Sequence, residues 1–202
     1  SKCKEKTEPK TKKISPHMII LLDDNYEKDY WMVIKAKSGI KLEKIDDFIR
    51  DIWVECCGHL STFSDSYGEI GISRKLDKAF ESGSKIGYLY DWGSSTELTL
   101  SLLEETEEYE NKPIEILIRN KNVEYKCSFC DNPAVEICTY CIYEYEGDGL
   151  LCEKCAKTHK CVEEEGDEIL MPLVNSPRAG VCGYYGYEKE DVIKYFPKEV
   201  IE

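Results

Sequence analysis

The stretch from Cys127 to Cys161 constrains this chain more than any other. It reads C-x2-C, seven residues, C-x2-C, ten residues, C-x2-C, three residues, His, one residue, Cys. A C-x2-C pair sets two thiolates on one tight turn, close to the bite of a tetrahedral Zn²⁺, and two such pairs close one four-coordinate site. Eight soft ligands therefore predict two zinc ions. Pairing can be sequential or crossed. The short separations of seven and ten residues favour the crossed arrangement, in which the two halves interlock. One ion then sits on Cys127, Cys130, Cys152 and Cys155, the other on Cys138, Cys141, His159 and Cys161. Each set is closed by four protein ligands, so both ions read as structural, with no coordination position left for water.

The competing reading of so many cysteines is a disulfide framework or a set of buried thiols. Disulfides suit small secreted domains. No signal-peptide pattern is read here, and no apolar run is long enough to cross a bilayer. Zinc is the preferred reading, and the protein is expected to be cytoplasmic with no membrane partner. In order and spacing, these 35 residues resemble the B-box and MYND cross-brace fingers, with a shorter gap between the last His and Cys.

Charge narrows the partners. The formal net charge of -13 becomes -16 when seven thiolates and two divalent ions are included. Such a surface repels a phosphate backbone, which favours a protein partner over nucleic acid. Residues 1–16 are the exception, with six lysines against Glu5 and Glu8. They read as a flexible basic arm, which also carries Cys3.

Residues 17–118 carry the signature of an α+β core domain. The apolar run His17–Leu22 and the alternating Tyr30–Ala36 predict a strand hairpin. Leu42, Ile45, Phe48, Ile49, Ile52 and Trp53 recur at helical spacing with acidic and basic residues between them, which predicts one main amphipathic helix. A short helical stretch is expected near Leu76–Phe80. Tyr88–Trp92 and Glu97–Leu103 form a second predicted hairpin, with Gly93 supplying the turn. The acidic residues 104–113 read as an exposed loop, and Ile114, Ile116 and Ile118 as a strand leading into the finger. The expected fold is a mostly antiparallel sheet with one main helix, joined to a two-zinc module at 119–165. Residues 166–202 lack periodicity but hold prolines, glycines and tyrosines. They predict an irregular strap folded back on the core, its tyrosines half buried, ending in a short helix interrupted by Pro197.

Several of these pieces together resemble the plasmid pRiA4b ORF-3-like family. The residues that carry the likeness are LEKIDDFIRDIW (42–53), GHLSTF (58–63), KIGYLYDWGSSTELTLSL (85–102) and NSPRAGVCGYYG (175–186). The resemblance implies an antiparallel α+β fold and an association with plasmids and insertion elements, without a settled activity. Where that family tends to have Asp, Trp and His after the glycine of the YDWG turn, this chain has Ser94, Thr96 and Leu98.

A few further residues could carry chemistry. Cys56, Cys57 and His59 follow the main helix and Cys182 lies in the strap. A thiol beside a histidine can act as nucleophile and base when a third group orients the ring, and no such group is evident in sequence. Buried thiols are the preferred reading, with a redox pair or a third metal site using Cys182 as the alternative. Asp91 is expected to serve the hairpin turn, and Arg178 to pair internally with an acidic residue. Tyr184, Tyr185 and Tyr187 could form a patch for a partner. With no phosphate-cradling, hydrolytic or hydride-transfer motif, the leading expectation is a non-enzymatic zinc protein acting as a macromolecular interaction module. The alternatives are a nucleic-acid-associated accessory of a mobile element, or an enzyme centred on Cys57, His59 or Asp91.

Overall fold

The structure is a computed structural model that describes residues 14–109, 112–144, 147 and 149–197. Thirteen of the sixteen residues read as a basic arm, Cys3 among them, lie outside that range, as do residues 198–202. The chain forms a seven-stranded antiparallel sheet and a small three-stranded one. The large sheet comprises β1 (Ile14–Asp24), β2 (Trp31–Lys37), β3 (Ser61–Asp65), β4 (Gly68–Ile70), β5 (Lys85–Tyr90), β6 (Thr96–Tyr109) and β7 (Ile114–Arg119), in the order β4-β3-β5-β6-β1-β2-β7.

Alternation decides which face is covered. Met18, Ile20 and Leu22 of β1, Met32, Ile34 and Ala36 of β2, Ile86, Tyr88 and Tyr90 of β5, and Leu98 and Leu100 of β6 all point into one core. Across that face lies α1 (Leu42–Ile49), continued through Val54 by a wider π-helical turn, Arg50–Val54. Its apolar stripe buries Leu42, Ile45, Phe48, Ile49, Ile52 and Trp53. Each large side chain removed from water in this way contributes about 1.5–3 kcal/mol. A second short helix, α2 (Leu76–Ala79), closes one end of the core with Leu76 and Ala79.

Several boundaries differ from the sequence expectation. The first strand begins at Ile14, inside the span read as basic arm, and pairs residue by residue with the far end of β6. For the same reason the acidic stretch after Leu103 is not a loop: Glu104–Tyr109 continue β6 opposite Ile14–Ile19. Backbone pairing with β1 outweighs the charge there, helped by Lys35, whose Nζ lies 2.7 Å from Glu108 and 3.3 Å from Glu115. The sequence reading also passed over β3 and β4, which are short and polar. The alternation of Ile114, Ile116 and Ile118 breaks at its end: Ile114 and Ile116 are buried, but a register shift between Val33 and Ile34 sets Ile118 opposite Val33, and it is exposed. In the hairpin turn the residue with positive φ is Asp91 (φ 63°), not Gly93. Gly93 instead donates its N–H to Asp91 Oδ1 at 2.9 Å.

The second sheet has the order β10-β8-β9 and holds β8 (Glu136–Cys138), β9 (Leu150–Leu151) and β10 (Leu170–Pro172). Three short helices accompany it among the described residues, α3 (Thr139–Glu144), α4 (Glu153–Ala156) and α5 (Lys160–Glu165), and a further one, α6 (Lys189–Tyr195), lies near the end of the chain. The strap thus first joins the small sheet through β10 and then crosses to the large domain. There Ser176 Oγ donates to the Trp53 carbonyl at 2.6 Å, and Tyr184 Oη donates to the Ile52 carbonyl at 2.9 Å. Both acceptors lie in the widened turn after α1, whose looser geometry leaves carbonyls to be satisfied from outside the helix. Finally α6 docks on α1: Tyr195 meets Phe48 edge to face at 4.9 Å, and its hydroxyl donates to Asp51 at 2.7 Å. Phe196 and Pro197 then end the helix.

Candidate metal centres

The small sheet explains how the soft ligands come together. In the register of β8 and β9, Glu136 faces Leu151 and Ile137 faces Leu150. The residue that follows each strand's pairing, Cys138 on one side and Cys152 on the other, therefore belongs to a different metal group although the strands are neighbours. That is the physical content of a cross-brace: one pair of strands carries a ligand for each centre. Cys127, Cys130, Cys152 and Cys155 form the first group, and Cys138, Cys141, His159 and Cys161 the second, with the ligand atoms of each group within 4.8 Å of one another.

In the first group, Cys127 and Cys130 sit on a turn held by the Cys127 N–H to the Asn132 carbonyl at 2.9 Å and the Ser128 N–H to the Leu150 carbonyl at 2.8 Å. Cys152 immediately precedes α4, which carries Cys155. Cys130 Sγ lies 3.6 Å from Cys152 Sγ and 3.7 Å from Cys155 Sγ. In the second group Cys138 ends β8 and Cys141 lies in α3. His159 precedes α5 and Cys161 lies within it. Cys141 Sγ is 3.2 Å from His159 Nε2 and 3.6 Å from Cys161 Sγ. For bonds of about 2.3 Å to sulfur and 2.0 Å to nitrogen, a tetrahedral ion requires ligand separations of about 3.8 Å and 3.5 Å. The sulfur–sulfur edges meet that requirement, the Cys141–His159 edge falls slightly short of it, and the sulfurs are far too widely spaced for the roughly 2.0 Å bond of a disulfide. Both groups can hold a metal ion.

Their surroundings agree. Cys127, Cys138, Cys152, Cys161 and His159 are all buried, and Cys138, Leu151, Ala156 and Cys161 form a small apolar core of their own. Thiols packed so closely cannot all ionise unless a cation joins them. In the first group burial opposes ionisation of Cys127, but the backbone amides of Cys152 and Phe129 outweigh it and bring the thiol down to about 6. Hydrogen bonding to Cys152, with burial, pushes Cys155 up to about 12. In the second group burial and the neighbouring Cys161 push Cys141 up to about 12 as well. A divalent ion would remove this conflict by deprotonating the coordinating thiols.

The remaining candidates converge elsewhere. Cys56, Cys57, His59 and Cys182 form a third group of the same kind at the end of the large sheet. Beside it Arg178 is fully buried, its Nη2 donating to Asp91 Oδ2 at 2.7 Å and its Nη1 to the Ser94 carbonyl at 2.8 Å. The Arg178 bond, together with the Gly93 amide, holds the Asp91 carboxyl at about 2. Tyr184 does not join a surface patch: its ring is buried and its hydroxyl is spent on Ile52, whereas Tyr185 and Tyr187 are exposed. In sequence, a buried tyrosine among glycines cannot be told from one on the rim.

Sequence reasoning passed over Arg50, Glu55 and Tyr90, which shape the loop carrying the third group. Arg50 spans Asp46 at 2.9 Å, Glu55 at 2.7 Å and the His59 carbonyl at 2.7 Å. Its guanidinium lies over the Tyr90 ring, 4.9 Å from the centroid. Only the four-residue spacing of Asp46 and Arg50 on one helix face signals this in sequence.

No family model matches the chain, and no curated protein matches it. The protein of unknown function MM3350 from Methanosarcina mazei Go1 has a solved structure similar to 54% of this chain and 72% of its own, at 15% identity and a TM-score of 0.46. A likeness that distant carries no argument about function. Among the described residues, no helix is long and apolar enough to cross a membrane.

Proposed function

We propose that this is a zinc protein whose metal module has no catalytic role and serves to hold a recognition surface for a protein partner. The observation that carries this reading is the closure of both module groups by four protein ligands, most of them buried. A catalytic zinc keeps a position for water or substrate, and these groups leave none. The metals' work is then folding: a structural zinc site is worth on the order of 10 kcal/mol to a unit too small to fold on its own apolar core.

What such a unit displays is a rim of exposed apolar side chains. Phe129 stands on the first metal turn, its ring tilted by 59° against His159 of the second group with the centroids 5.5 Å apart, and Val135 and Tyr143 are exposed nearby in sequence. Where the module meets the large sheet, a cleft of about 370 Å³ is lined by Tyr30, Tyr125, Ile137, Ile142 and Leu173. Charge favours protein over nucleic acid, given the formal net charge of -13.

The test is affinity capture with the full chain, comparing wild type, Phe129→Ala and Cys152→Ala by quantitative mass spectrometry. The reading expects one set of proteins enriched by wild type and lost from both variants, with Phe129→Ala keeping its metal. Retention of nucleic acid in a low-salt gel shift, collapsing as salt is added, would replace this reading with that of a mobile-element accessory.

A further inference from the structure

We infer that Cys56, Cys57, His59 and Cys182 bind a third zinc ion, which clasps the C-terminal strap to the sheet domain and, unlike the two in the module, is exposed and exchangeable.

The group has the dimensions of a tetrahedral site. Cys57 Sγ lies 3.8 Å from Cys56 Sγ and 3.7 Å from Cys182 Sγ. His59 Nε2 lies 3.1 Å from Cys57 Sγ and 3.2 Å from Cys182 Sγ. All four ligand atoms fall within 4.8 Å of one another. The sulfur–sulfur edges fit the roughly 3.8 Å that tetrahedral zinc requires, and the His59 edges, a little under the roughly 3.5 Å expected for sulfur and nitrogen, match the Cys141–His159 edge of the module.

The orientation of the imidazole separates this reading from catalysis. A thiol, a base and an orienting carboxylate act in series through both ring nitrogens, one toward the nucleophile and the other toward the acid. Here Cys57, Cys182 and the Asp91 carboxylate, the last at 3.5 Å, all approach the same nitrogen, Nε2. One lone pair aimed into a cage of sulfurs is the geometry of a metal ligand.

A supporting shell completes the site. Arg178 Nη2 donates to Cys56 Sγ at 3.5 Å and the Tyr90 hydroxyl lies 3.8 Å from that sulfur, so a Cys56 thiolate gains a donor that is also a buried cation. The Arg50 bond to the His59 carbonyl fixes the loop from the other side. Partners of this kind orient metal ligands and tune their basicity. The backbone adds independent testimony. Among the described residues, the non-glycine residues with positive φ are Asp91 (63°) and Cys182 (48°), and both are at this site. Such conformations persist where the surroundings over-determine them, and they gather at functional sites.

The placement gives the ion its role. Cys56, Cys57 and His59 follow the widened turn of the main helix, whereas Cys182 lies 125 residues beyond Cys57 on the strap. A bridge between them closes a long loop, where loop-closure entropy is largest. Cys57 and Cys182 are exposed, whereas every ligand of the module is buried or half-buried. Solvent and competing chelators therefore reach the third ion first.

The experiment uses the full chain loaded with zinc and desalted, with zinc counted by inductively coupled plasma mass spectrometry. Three ions per chain are expected in wild type, two in Cys182→Ala and two in His59→Ala. Brief exposure of wild type to EDTA should remove one ion and open Cys57 and Cys182 to iodoacetamide, while Cys127, Cys138, Cys152 and Cys161 stay protected. This labelling arm needs no variant, so it decides the matter even if a substitution prevents folding. Two ions in wild type, an unchanged count in Cys182→Ala, or equal labelling of Cys57 and Cys182 with and without zinc would each overturn the inference. None of these results disturbs the two module sites, which Cys152→Ala probes separately.

Discussion

Arg178→Met should be among the most damaging single changes outside the metal ligands, and its cost can be worked from its contacts. The guanidinium has no exposed surface, donates to Asp91, to the Ser94 carbonyl and, at 3.2 Å, to Thr96 Oγ1, and lies over the Tyr90 ring at 4.8 Å. Methionine fills comparable space but leaves the buried Asp91 carboxylate without its cationic partner, held by the Gly93 and Ser94 backbone amides. Removing one partner of a buried pair costs about 3–5 kcal/mol. In a chain of this size each kcal/mol lowers Tm by about 2–4 °C, so the drop should be about 6–20 °C. Thermal unfolding followed by Trp fluorescence measures it, since Trp53 is tied to the strap by Ser176. Adding Asp91→Asn to the variant should recover at least half the loss, because the uncompensated charge is gone. The pH dependence has a definite sign. Asp91 is held at about 2 against an ordinary 3.8, so its contribution is complete above that ordinary value and disappears as pH falls through about 2. The gap between wild type and Arg178→Met should accordingly narrow across that window. A loss under about 1 kcal/mol, or no recovery on adding Asp91→Asn, would refute the claim that this pair pins the strap.

Other perturbations test separate parts of the account. Cys152→Ala should release the first-group ion and loosen the turn at Cys127 and Cys130 while the second group keeps its ion and the far-UV circular dichroism of the large sheet stays nearly unchanged; metal analysis beside the spectrum checks both. Tyr184→Phe removes a buried hydrogen bond to the Ile52 carbonyl and should cost about 1 kcal/mol, read as a small shift in urea midpoint with unchanged slope. Gly149→Ala would drive a Cβ into the backbone carbonyl of Cys138, so it should weaken zinc binding at the second group without altering a ligand, measured by competition with a chromogenic chelator. Phe48→Ala, at the centre of the main core and beneath Tyr195, should cost about 3–5 kcal/mol and free α6, raising proteolysis near residue 189.

Much of this was legible in sequence because it rests on local periodicity. Met32 and Ile34 in one strand, and Phe48, Ile49, Ile52 and Trp53 along one helix, declare their buried face by spacing alone. The grouping of eight module ligands follows from short spacers that leave few ways to close two tetrahedra. What stayed hidden depends on partners distant in sequence. Glu104–Tyr109 is acidic enough to pass for a loop, and only its pairing with Ile14–Ile19 makes it a strand. The third group was open in sequence only as an alternative to buried thiols, because it needs Cys182 to cross from the strap to a loop 125 residues away. Nothing near Cys57 states where that ligand comes from.

The pairing of the module ligands is best tested by the zinc content of the double variant Cys127→Ala/Cys155→Ala, compared with each single variant. In the crossed arrangement both cysteines serve one ion, so the double variant should lose a single zinc, the same one that either single variant loses. Loss of two ions from the double variant would place Cys127 and Cys155 in different sites and contradict the cross-brace; wild-type protein free of metal would contradict the account altogether.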